Sequence, residues 1–353
     1  RRSDVEGEAD LAEEVGRLVG YDRLPARLPR GESLPGLPDP ARVWQEALAD
    51  AMAAQGLTEV VTTSLVGSAE LGRLGFDLER CVRLANPLGP DADVLRPSLL
   101  PGLLRALRAN LERGREGVWL FERGTVTERA DPGADWPFSE RQALAALARG
   151  PRQGPDWRRP PEEADFFALK GVLGHLLRDA YGPEGEGWRP RRLEGERGWG
   201  ARLHPGRAAA IDAGGRTVAV LGELHPALAA ALDLAGPVIY FEWWHGNGPA
   251  PRQRASAPPP RFPAVSRDVA VILSDAVPAA AAIEGVRAAG GPWLEEVRLF
   301  DVYRGPGIPA GTRSLALRLR YRAPDRTLRE DEVEPVHQAV REALAALGGT
   351  LRS

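Results

Sequence analysis

Alternating arginine and apolar residues near the C-terminus could form a surface that binds an anionic polymer. In the segment TRSLALRLRYRA, the apolar residues Leu315, Leu317, Leu319 and Tyr321 alternate with Ala316, Arg318, Arg320 and Arg322. Because side chains of a strand point alternately to its two faces, this spacing predicts one face that packs and a basic face opposite it. Arginine pairs with phosphate oxygens, so a phosphate polymer suits such a face.

The preceding segment FDVYRG adds an aromatic ring and a carboxylate to the same region. Asp301 and Tyr303 fall on one face of a predicted strand, with Phe300 and Val302 on the other. A base stacked on Tyr303, together with phosphate contacts from arginines, is a common way to hold single-stranded RNA. The pattern also fits a solvated sheet face with Tyr303 packed at its edge, and the residues alone leave both interpretations open.

Acidic side chains near the N-terminus have the spacing of one helical face and could bind a hard cation. Asp10, Glu13 and Glu14 lie at positions i, i+3 and i+4, and Asp4 and Glu6 come just before them. Carboxylate oxygens are ligands that Mg²⁺ takes in proteins. The spacing also fits Asp10 as a helix N-cap with Glu13 as its capping-box partner, and on spacing alone this capping role is favoured.

Several common catalytic motifs are absent from the sequence. Lys170 is the only lysine and lies in ALKG, so there is no phosphate-binding loop of the form GxxxxGK[ST]. Cys81 is the only cysteine, which excludes an intramolecular disulfide and a CxxC metal or redox site. Neither an HExxH nor a GxSxG motif occurs. The sequence therefore gives no support to P-loop, zinc-protease or serine-hydrolase chemistry.

Charge is unevenly distributed, although the whole chain is nearly neutral. With 46 basic and 49 acidic residues the net charge is −3, which excludes a uniformly basic nucleic-acid coat protein. Residues 252–329 nevertheless hold 13 arginines against seven acidic residues, whereas residues 1–251 carry a net charge of −6.

No apolar run approaches the roughly 18 residues of a membrane-spanning helix. A single cysteine suits a reducing compartment, so we expect a cytoplasmic protein that does not bind membranes.

Two proline-rich stretches divide the chain, because proline interrupts both helices and sheets. The predicted segments are residues 1–30 with one amphipathic helix, a linker at 31–38, a body at 39–245, a linker at 246–261 and a small module at 262–353.

The body has the pattern of an α+β fold with an antiparallel sheet. The predicted elements are a helix capped by Asp39, strands at 58–66 and 82–87, a helix at 98–114, a strand at 117–128, a helix at 164–182, a hairpin around Gly214-Gly215 and a short helix from 225. In the C-terminal module, strand and helix patterns follow the order βαββαβ, which is typical of a ferredoxin-like fold. The exposed face of its four-stranded sheet is a common platform for single-stranded RNA.

Seven segments in chain order resemble the C-terminal half of the bacterial phenylalanine–tRNA ligase β subunit. They are DLAEEVGRLVGYDRLP (10–25), NPLGPDADVLRPSLLPGLLRALRANLERG (86–114), LFERGTV (120–126), DFFALKGVLGHLL (165–177), LGELHP (221–226), FPAVSRDVAV (262–271) and FDVYRGPGIPAGTRSLALRLRYRAPDRTLREDEV (300–333). The last segment is typical of that family's anticodon-binding domain.

The resemblance implies an α2β2 ligase that joins phenylalanine to tRNA(Phe) with ATP and Mg²⁺, its active site and ATP lying in the α subunit. It implies that residues 1–30 end a B5-type domain. It also implies that the body is a class II synthetase-like module without catalysis that contacts the α subunit. The residues agree, since no arginine or lysine lies between Glu223 and Pro251 to hold the γ-phosphate of ATP. Arg96 and Glu122 could form part of another class II motif, but the set is incomplete.

The resemblance also assigns site residues. Asp4, Asp10, Glu13 and Glu14 fall on a Mg²⁺ site shared with the α subunit, which reverses the preference for a capping role. Asp301 and Tyr303 fall on anticodon contacts, with Tyr303 stacking on a base and Asp301 hydrogen-bonding one. Phosphate contacts would come from nearby arginines, which are Arg304, Arg313, Arg318, Arg320 and Arg322.

Two other functions stay open on the sequence. A free-standing RNA-binding or regulatory protein built from the same modules would bind RNA without an α subunit, and no binding of DNA is expected of either. An independent ATP-dependent ligase would need a γ-phosphate cation that the sequence does not supply. Family members usually begin with an OB-fold domain and an editing module, neither of which is present, so we expect this chain to be part of a longer subunit.

Overall fold

The structure is a computed structural model that describes residues 4–28, 31, 36, 38–130, 133, 135–154, 156–158, 160–182, 187–193, 195, 197–246 and 259–352. The chain divides into two compact units, Arg1–Ala47 and Leu48–Ser353. Most residues of the two predicted linkers, 31–38 and 246–261, lie outside the described part of the chain.

Helices and strands alternate along the described chain. The helices are α1 Glu8–Val19, α2 Pro40–Ala54, α3 Ser68–Arg73, α4 Leu100–Glu112, α5 Phe166–Tyr181, α6 Trp199–Arg202, α7 Pro226–Ala231, α8 Ala279–Ala289 and α9 Glu330–Ala346. The strands are β1 Thr58–Glu59, β2 Leu65–Val66, β3 Val94–Leu95, β4 Val118–Arg129, β5 Phe138–Arg149, β6 Arg189–Arg192, β7 Leu203–Ala213, β8 Arg216–Leu224, β9 Ile239–Trp244, β10 Val265–Ser274, β11 Leu294–Tyr303, β12 Thr312–Tyr321 and β13 Thr350–Arg352. None of the helices within the described ranges has the length and apolar character of a membrane span.

The N-terminal unit contains the predicted amphipathic helix, α1. Its apolar residues Leu11, Val15 and Leu18 are spaced to share one face, and all three are exposed. The helix ends at Gly20, whose φ of 94° is available to glycine without strain. Further along, the Asp39 carboxylate accepts a hydrogen bond from the Ala41 N–H at 3.0 Å, which confirms the predicted cap of α2.

A seven-stranded sheet forms the centre of the body, in the order β1-β4-β5-β9-β8-β7-β6. Only the pairing of β1 with β4 is parallel among these strands, so the predicted antiparallel sheet is confirmed. The hairpin between β7 and β8 turns at Gly214 and Gly215, whose φ values of 56° and 77° are those of a two-residue turn that favours glycine. Helix α4 packs on β4 and β5, and α5 packs on β8 and β9.

The predicted strands at 58–66 and 82–87 are wrong in extent. Only β1 and β2 form in the first segment, because Thr62 between them donates its backbone N–H and hydroxyl to the Glu122 carboxylate instead of to a neighbouring strand. The second segment forms a single bridge, between Arg83 and Val94. Strands β5, β6 and β9 had no sequence prediction, and the buried centre of β5 is rich in alanine, which has a low strand preference.

The C-terminal module has the predicted βαββαβ order. Its sheet is antiparallel in the order β11-β12-β10-β13, so the first and third strands are central, as in ferredoxin-like folds. Helices α8 and α9 cover one face, where Val271, Leu317 and Val340 belong to the buried core. The other face of this sheet is left uncovered by the module's own helices.

A buried ion pair ties the start of the body to its central sheet. Arg96 Nη1 lies 2.6 Å from Glu122 Oε1, and Glu122 is fully buried in β4. The same carboxylate accepts the Thr62 N–H at 3.0 Å and the Thr62 hydroxyl at 2.8 Å. Arg96 also donates from Nε to the Thr125 carbonyl at 3.0 Å. Because each partner would otherwise be a desolvated charge, removing one leaves the other buried without compensation.

We expect Glu122→Gln to lower the free energy of unfolding by about 3–5 kcal/mol, the cost of breaking a buried ion pair at one partner. Urea unfolding followed by circular dichroism measures the change. Glu59→Gln is the matched control, because Glu59 forms a more exposed pair with Arg123 at 2.8 Å and should cost at most about 1 kcal/mol. Equal costs for the two variants would contradict a special role for Glu122.

Candidate nucleic-acid interface

The uncovered face of the four-stranded sheet carries most of the residues predicted to bind RNA. The leucines of β12 and its final tyrosine are buried on the helix side, as their alternation predicts. Strands β10 and β11 flank β12, with Asp268 in register with Arg318 and Asp301 in register with Ala316. The outward side chains of three strands therefore meet on one surface.

A β-bulge brings the ring of Phe300 onto this surface. The register of β11 shifts between Leu299 and Asp301, so Phe300 is the extra residue. Its side chain is 47% exposed, and the Arg318 guanidinium lies over the ring at 5.0 Å from the centroid. The prediction that Phe300 faces away from Asp301 and Tyr303 is wrong, because a bulge breaks the two-residue period of a strand.

Tyr303 lies at the end of β11 with its ring 38% exposed. Its hydroxyl donates a long hydrogen bond, 3.4 Å, to the Pro306 carbonyl in the following loop. A Cβ atom at Gly305 would lie 2.6 Å from that hydroxyl oxygen, so a side chain at this position would displace the ring or the loop. The loop thus supports one edge of the ring and leaves the rest available for stacking.

A shallow cleft of about 520 Å³ lies between these aromatic residues and the centre of the sheet. Phe300, Asp301 and Tyr303 line one side, and Asp268 and Arg352 line another. A carboxylate that accepts hydrogen bonds, two rings and a cation therefore share one concave surface. That combination suits an unstacked base with its phosphate.

The predicted arginines of β12 are already ion-paired within the chain. Arg318 bonds both oxygens of Asp268, each at 2.8 Å, and this contact lowers the pKa of Asp268. Arg320 lies 2.9 Å from Glu295 and 3.3 Å from Glu296. These pairs show that the face is not uniformly basic, although its alternation is as predicted.

The remaining predicted arginines are also bonded to their neighbours. Arg322 lies 3.0 Å from Glu295 and also donates to the Phe262 carbonyl. Arg304 lies 2.8 Å from Asp275. Arg313 is only 9% exposed and donates to Asp275 at 3.1 Å and to the Val277 carbonyl at 2.6 Å. Arg313 therefore stabilises the turn between β10 and α8 and offers little of its guanidinium to a ligand.

Two further arginines, Arg298 and Arg352, lie on β11 and β13 of the sheet and were not predicted as ligand contacts. Both are exposed, and neither has an ion-pair partner among the described residues. Arg298 is in register with Arg318, and Arg352 is in register with Ala270 of β10. The order βαββαβ predicts β13 as the last strand but not its neighbour, so the position of Arg352 follows only from the pairing of β13 with β10.

The predicted magnesium ligands do not converge within this chain. The Asp10 carboxylate accepts hydrogen bonds from the N–H groups of Gly7 at 2.8 Å and Glu6 at 3.0 Å, which lower its pKa. Asp10 thus caps α1 from its third position, with Gly7 at the N-cap. Glu14 pairs with Arg17 at 2.6 Å. Across the ranges that the structure describes, no three acidic, histidine or cysteine side chains form a group that could hold a metal, and Asp4 and Glu13 join none.

Arg96 of the body is not available to bind a ligand. Its Nε and Nη1 groups bond to the Thr125 carbonyl and to Glu122, and the side chain is 9% exposed. A guanidinium held in this way supports the fold instead of reaching a phosphate. The incomplete class II motif expected from Arg96 and Glu122 is therefore a structural pair.

Two protein families match the chain. Residues 24–243 match the phenylalanyl tRNA synthetase beta chain CLM domain, and residues 260–352 match the ferredoxin-fold anticodon binding domain. A phenylalanine–tRNA ligase beta subunit of Symbiobacterium thermophilum is 43% identical over 100% of this chain and 39% of its own length. Its counterpart in Moorella thermoacetica is 40% identical over 99% of this chain and 43% of its own length.

The chain thus spans about two fifths of the length of these relatives. A solved structure of a pyrrolysyl tRNA synthetase from Desulfitobacterium hafniense is 18% identical, covers 67% of this chain and 72% of its own, and has a TM-score of 0.41. That likeness is too weak to assign a fold family. The family match covers more than half of the chain, and the chain belongs to the phenylalanyl-tRNA synthetase beta chain family.

Proposed function

We propose that this chain is the C-terminal part of the β subunit of a phenylalanine–tRNA ligase and binds the anticodon of tRNA(Phe) on its C-terminal sheet. The ligase attaches phenylalanine to this tRNA with ATP. The observation that carries the proposal is the uncovered sheet face where Phe300, Asp301 and Tyr303 share a cleft with Arg352. The matching family of residues 260–352 is described as an anticodon-binding domain, which supports the same assignment.

Each side chain of the cleft has a distinct part in this proposal. Tyr303 stacks on an anticodon base, because its ring is exposed and supported at one edge by the loop at Gly305. Asp301 accepts hydrogen bonds from the polar edge of a base and so contributes selectivity. Phe300 adds a second aromatic surface, whose position is fixed by the Arg318 guanidinium above it.

The arginines divide into two groups. Arg298 and Arg352 contact phosphates, since no carboxylate in the described part of the chain competes for them. Arg304, Arg318, Arg320 and Arg322 shape the surface through their ion pairs and add to its potential, and Arg313 supports the fold. This division refines the assignment made from the sequence, in which all of the last five were phosphate contacts.

Catalysis belongs to the partner α subunit in this proposal, and the body of this chain forms its interface in an α2β2 assembly. Two observations support a body without catalysis. Arg96 is committed to Glu122, and the segment after β8 offers no cation for a triphosphate. ATP is therefore bound by the partner subunit and not by this chain.

A second function, a free-standing RNA-binding protein, would use the same sheet face. The two functions differ in whether the body needs a class II α chain. Stable co-elution of this chain with a phenylalanine–tRNA ligase α subunit favours the ligase. Tight tRNA binding with no such complex favours the alternative.

Tyr303→Ala should weaken tRNA binding by about 1–3 kcal/mol, the contribution of one base stacked on an aromatic ring. Filter-binding titrations at fixed salt measure the affinity. Tyr303→Phe retains the ring and should bind almost as well as the unchanged chain. Trp157→Ala, which removes an exposed ring of the body, is the control. Affinity that survives Tyr303→Ala would refute the stacking role.

Arg298→Gln and Arg352→Gln should each reduce the slope of log affinity against log salt by about one, because each removes one phosphate contact. Titrations at several salt concentrations give the slopes. Arg341→Gln is the matched control, since Arg341 is exposed on α9, which packs on the other face of the sheet. Unchanged slopes for both sheet variants would place the phosphates elsewhere.

Magnesium binding by Asp4, Asp10, Glu13 and Glu14 stays a prediction that rests on the family resemblance. Since the four carboxylates do not converge here, the metal would need ligands from the α subunit. We expect Glu13→Gln or a chelator to weaken the complex with the α subunit in size-exclusion chromatography. Glu8→Gln, a control on the first turn of α1, should have no effect. A complex indifferent to chelator and to Glu13→Gln would reject the shared site.

A further inference from the structure

A second concave surface lies on the large sheet of the body, far in sequence from the C-terminal module. This arginine cleft has a volume of about 450 Å³ and lies over β7, β8 and β9. Its aromatic wall consists of Phe76, Trp199 and Trp244. None of these residues belongs to the proposed anticodon surface, so the cleft has no part in the proposed binding of tRNA.

The aromatic wall is rigid. Trp199 stacks on the buried Tyr240 with ring centroids 5.7 Å apart and planes 20° from parallel. The ring of Trp244 lies 6.3 Å from that of Trp199, and the Arg141 guanidinium lies over Trp244 at 5.0 Å. Tyr240 is held in turn by its hydroxyl, which donates to the buried Glu242 carboxylate at 2.6 Å. Rings fixed in this way can accept a planar ligand without losing side-chain entropy.

Cations outnumber anions in the cleft. The cations lining it are Arg80, Arg141, Arg191, Arg197 and Arg202. Acidic side chains in the lining are Asp77 and Glu128. Glu128 is shared between Arg141 at 3.3 Å and Arg80 at 3.9 Å, and Arg191 pairs with Asp212 at 2.7 Å.

Two of these arginines have no carboxylate partner within the described chain, Arg197 and Arg202. Arg197 is exposed at the rim of the cleft. Arg202 is 5% exposed and donates to the carbonyls of Leu74 at 3.0 Å and Gly75 at 2.7 Å, and its guanidinium lies 3.7 Å from the centroid of Phe76. Burial lowers the pKa of Arg202 to about 10, so it still carries its charge at neutral pH.

We propose that the arginine cleft binds a small planar anion, an aromatic or heteroaromatic ring that bears a phosphate or a carboxylate. Trp199 and Trp244 contact the ring, and Arg197 binds the anionic group. The volume is within the range of small-molecule sites and suits a ligand of mononucleotide size. Because the lining of the cleft carries more positive than negative charge, the ligand needs an anionic group. A neutral ring would leave these positive charges without a partner.

Isothermal titration calorimetry of the full chain tests the site with four probes. Adenosine monophosphate and phenylacetate carry the ring with a phosphate and a carboxylate respectively, whereas adenosine and inorganic phosphate each lack one half. We expect saturable binding of at least one ring-bearing anion below about 10 mM. Adenosine and inorganic phosphate should bind about tenfold more weakly. Comparison of the first two probes identifies the anionic group.

Arg197→Gln should weaken binding of that probe about tenfold, the loss of one charge-assisted hydrogen bond. Because Arg197 is exposed, its substitution should not unfold the body, and an unchanged thermal melt of the variant by circular dichroism confirms this. Arg158→Gln is the matched control, because Arg158 is an exposed arginine outside the cleft that lies near Asp156. No saturable binding of either ring-bearing anion, equal binding of inorganic phosphate, or binding unaffected by Arg197→Gln would each overturn the proposal.

Discussion

Ion pairing within the chain decides which arginine side chains can meet a ligand. Nearly all cations of this protein are arginines, with Lys170 the only lysine, so the presence of arginine alone says little about function. On the C-terminal sheet, Arg318 and Arg320 are paired with carboxylates of neighbouring strands, whereas Arg298 and Arg352 have none among the described residues. Because exposed pairs add little stability, their main effect is on the charge that the surface presents.

The same constraint acts differently inside the body. Arg96 is buried with Glu122, and this pair leaves the arginine unavailable to a ligand. Arg202 is buried to a similar degree, but it bonds to backbone carbonyls, lies over aromatic rings and forms no ion pair with a carboxylate among the described residues. The two buried arginines thus differ in effect, because Arg96 is neutralised by its partner whereas Arg202 adds positive potential to the arginine cleft.

Much of the fold could be predicted from the sequence, because local patterns determine its regular elements. The alternation in β12 predicted the buried leucines, and the order of elements predicted the ferredoxin-like module. The bulge at Phe300 could not be predicted, since it depends on how β11 pairs with β12. Neither could the partners of Arg318 or the position of Arg352, because both are set by residues distant in the sequence. The continuous strand predicted at 58–66 does not form, because Thr62 donates its backbone N–H to Glu122, which is distant in the sequence, and not to a neighbouring strand.

Ultraviolet crosslinking followed by peptide mass spectrometry shows whether tRNA lies on the uncovered face of the C-terminal sheet. Aromatic side chains stacked on bases are close enough to crosslink, and cleavage after Arg298 and Arg304 isolates residues 299–304 with both Phe300 and Tyr303. We expect this peptide to be the principal one joined to tRNA(Phe) at the anticodon. Crosslinks confined to peptides of the body, with residues 299–304 unmodified, would contradict it.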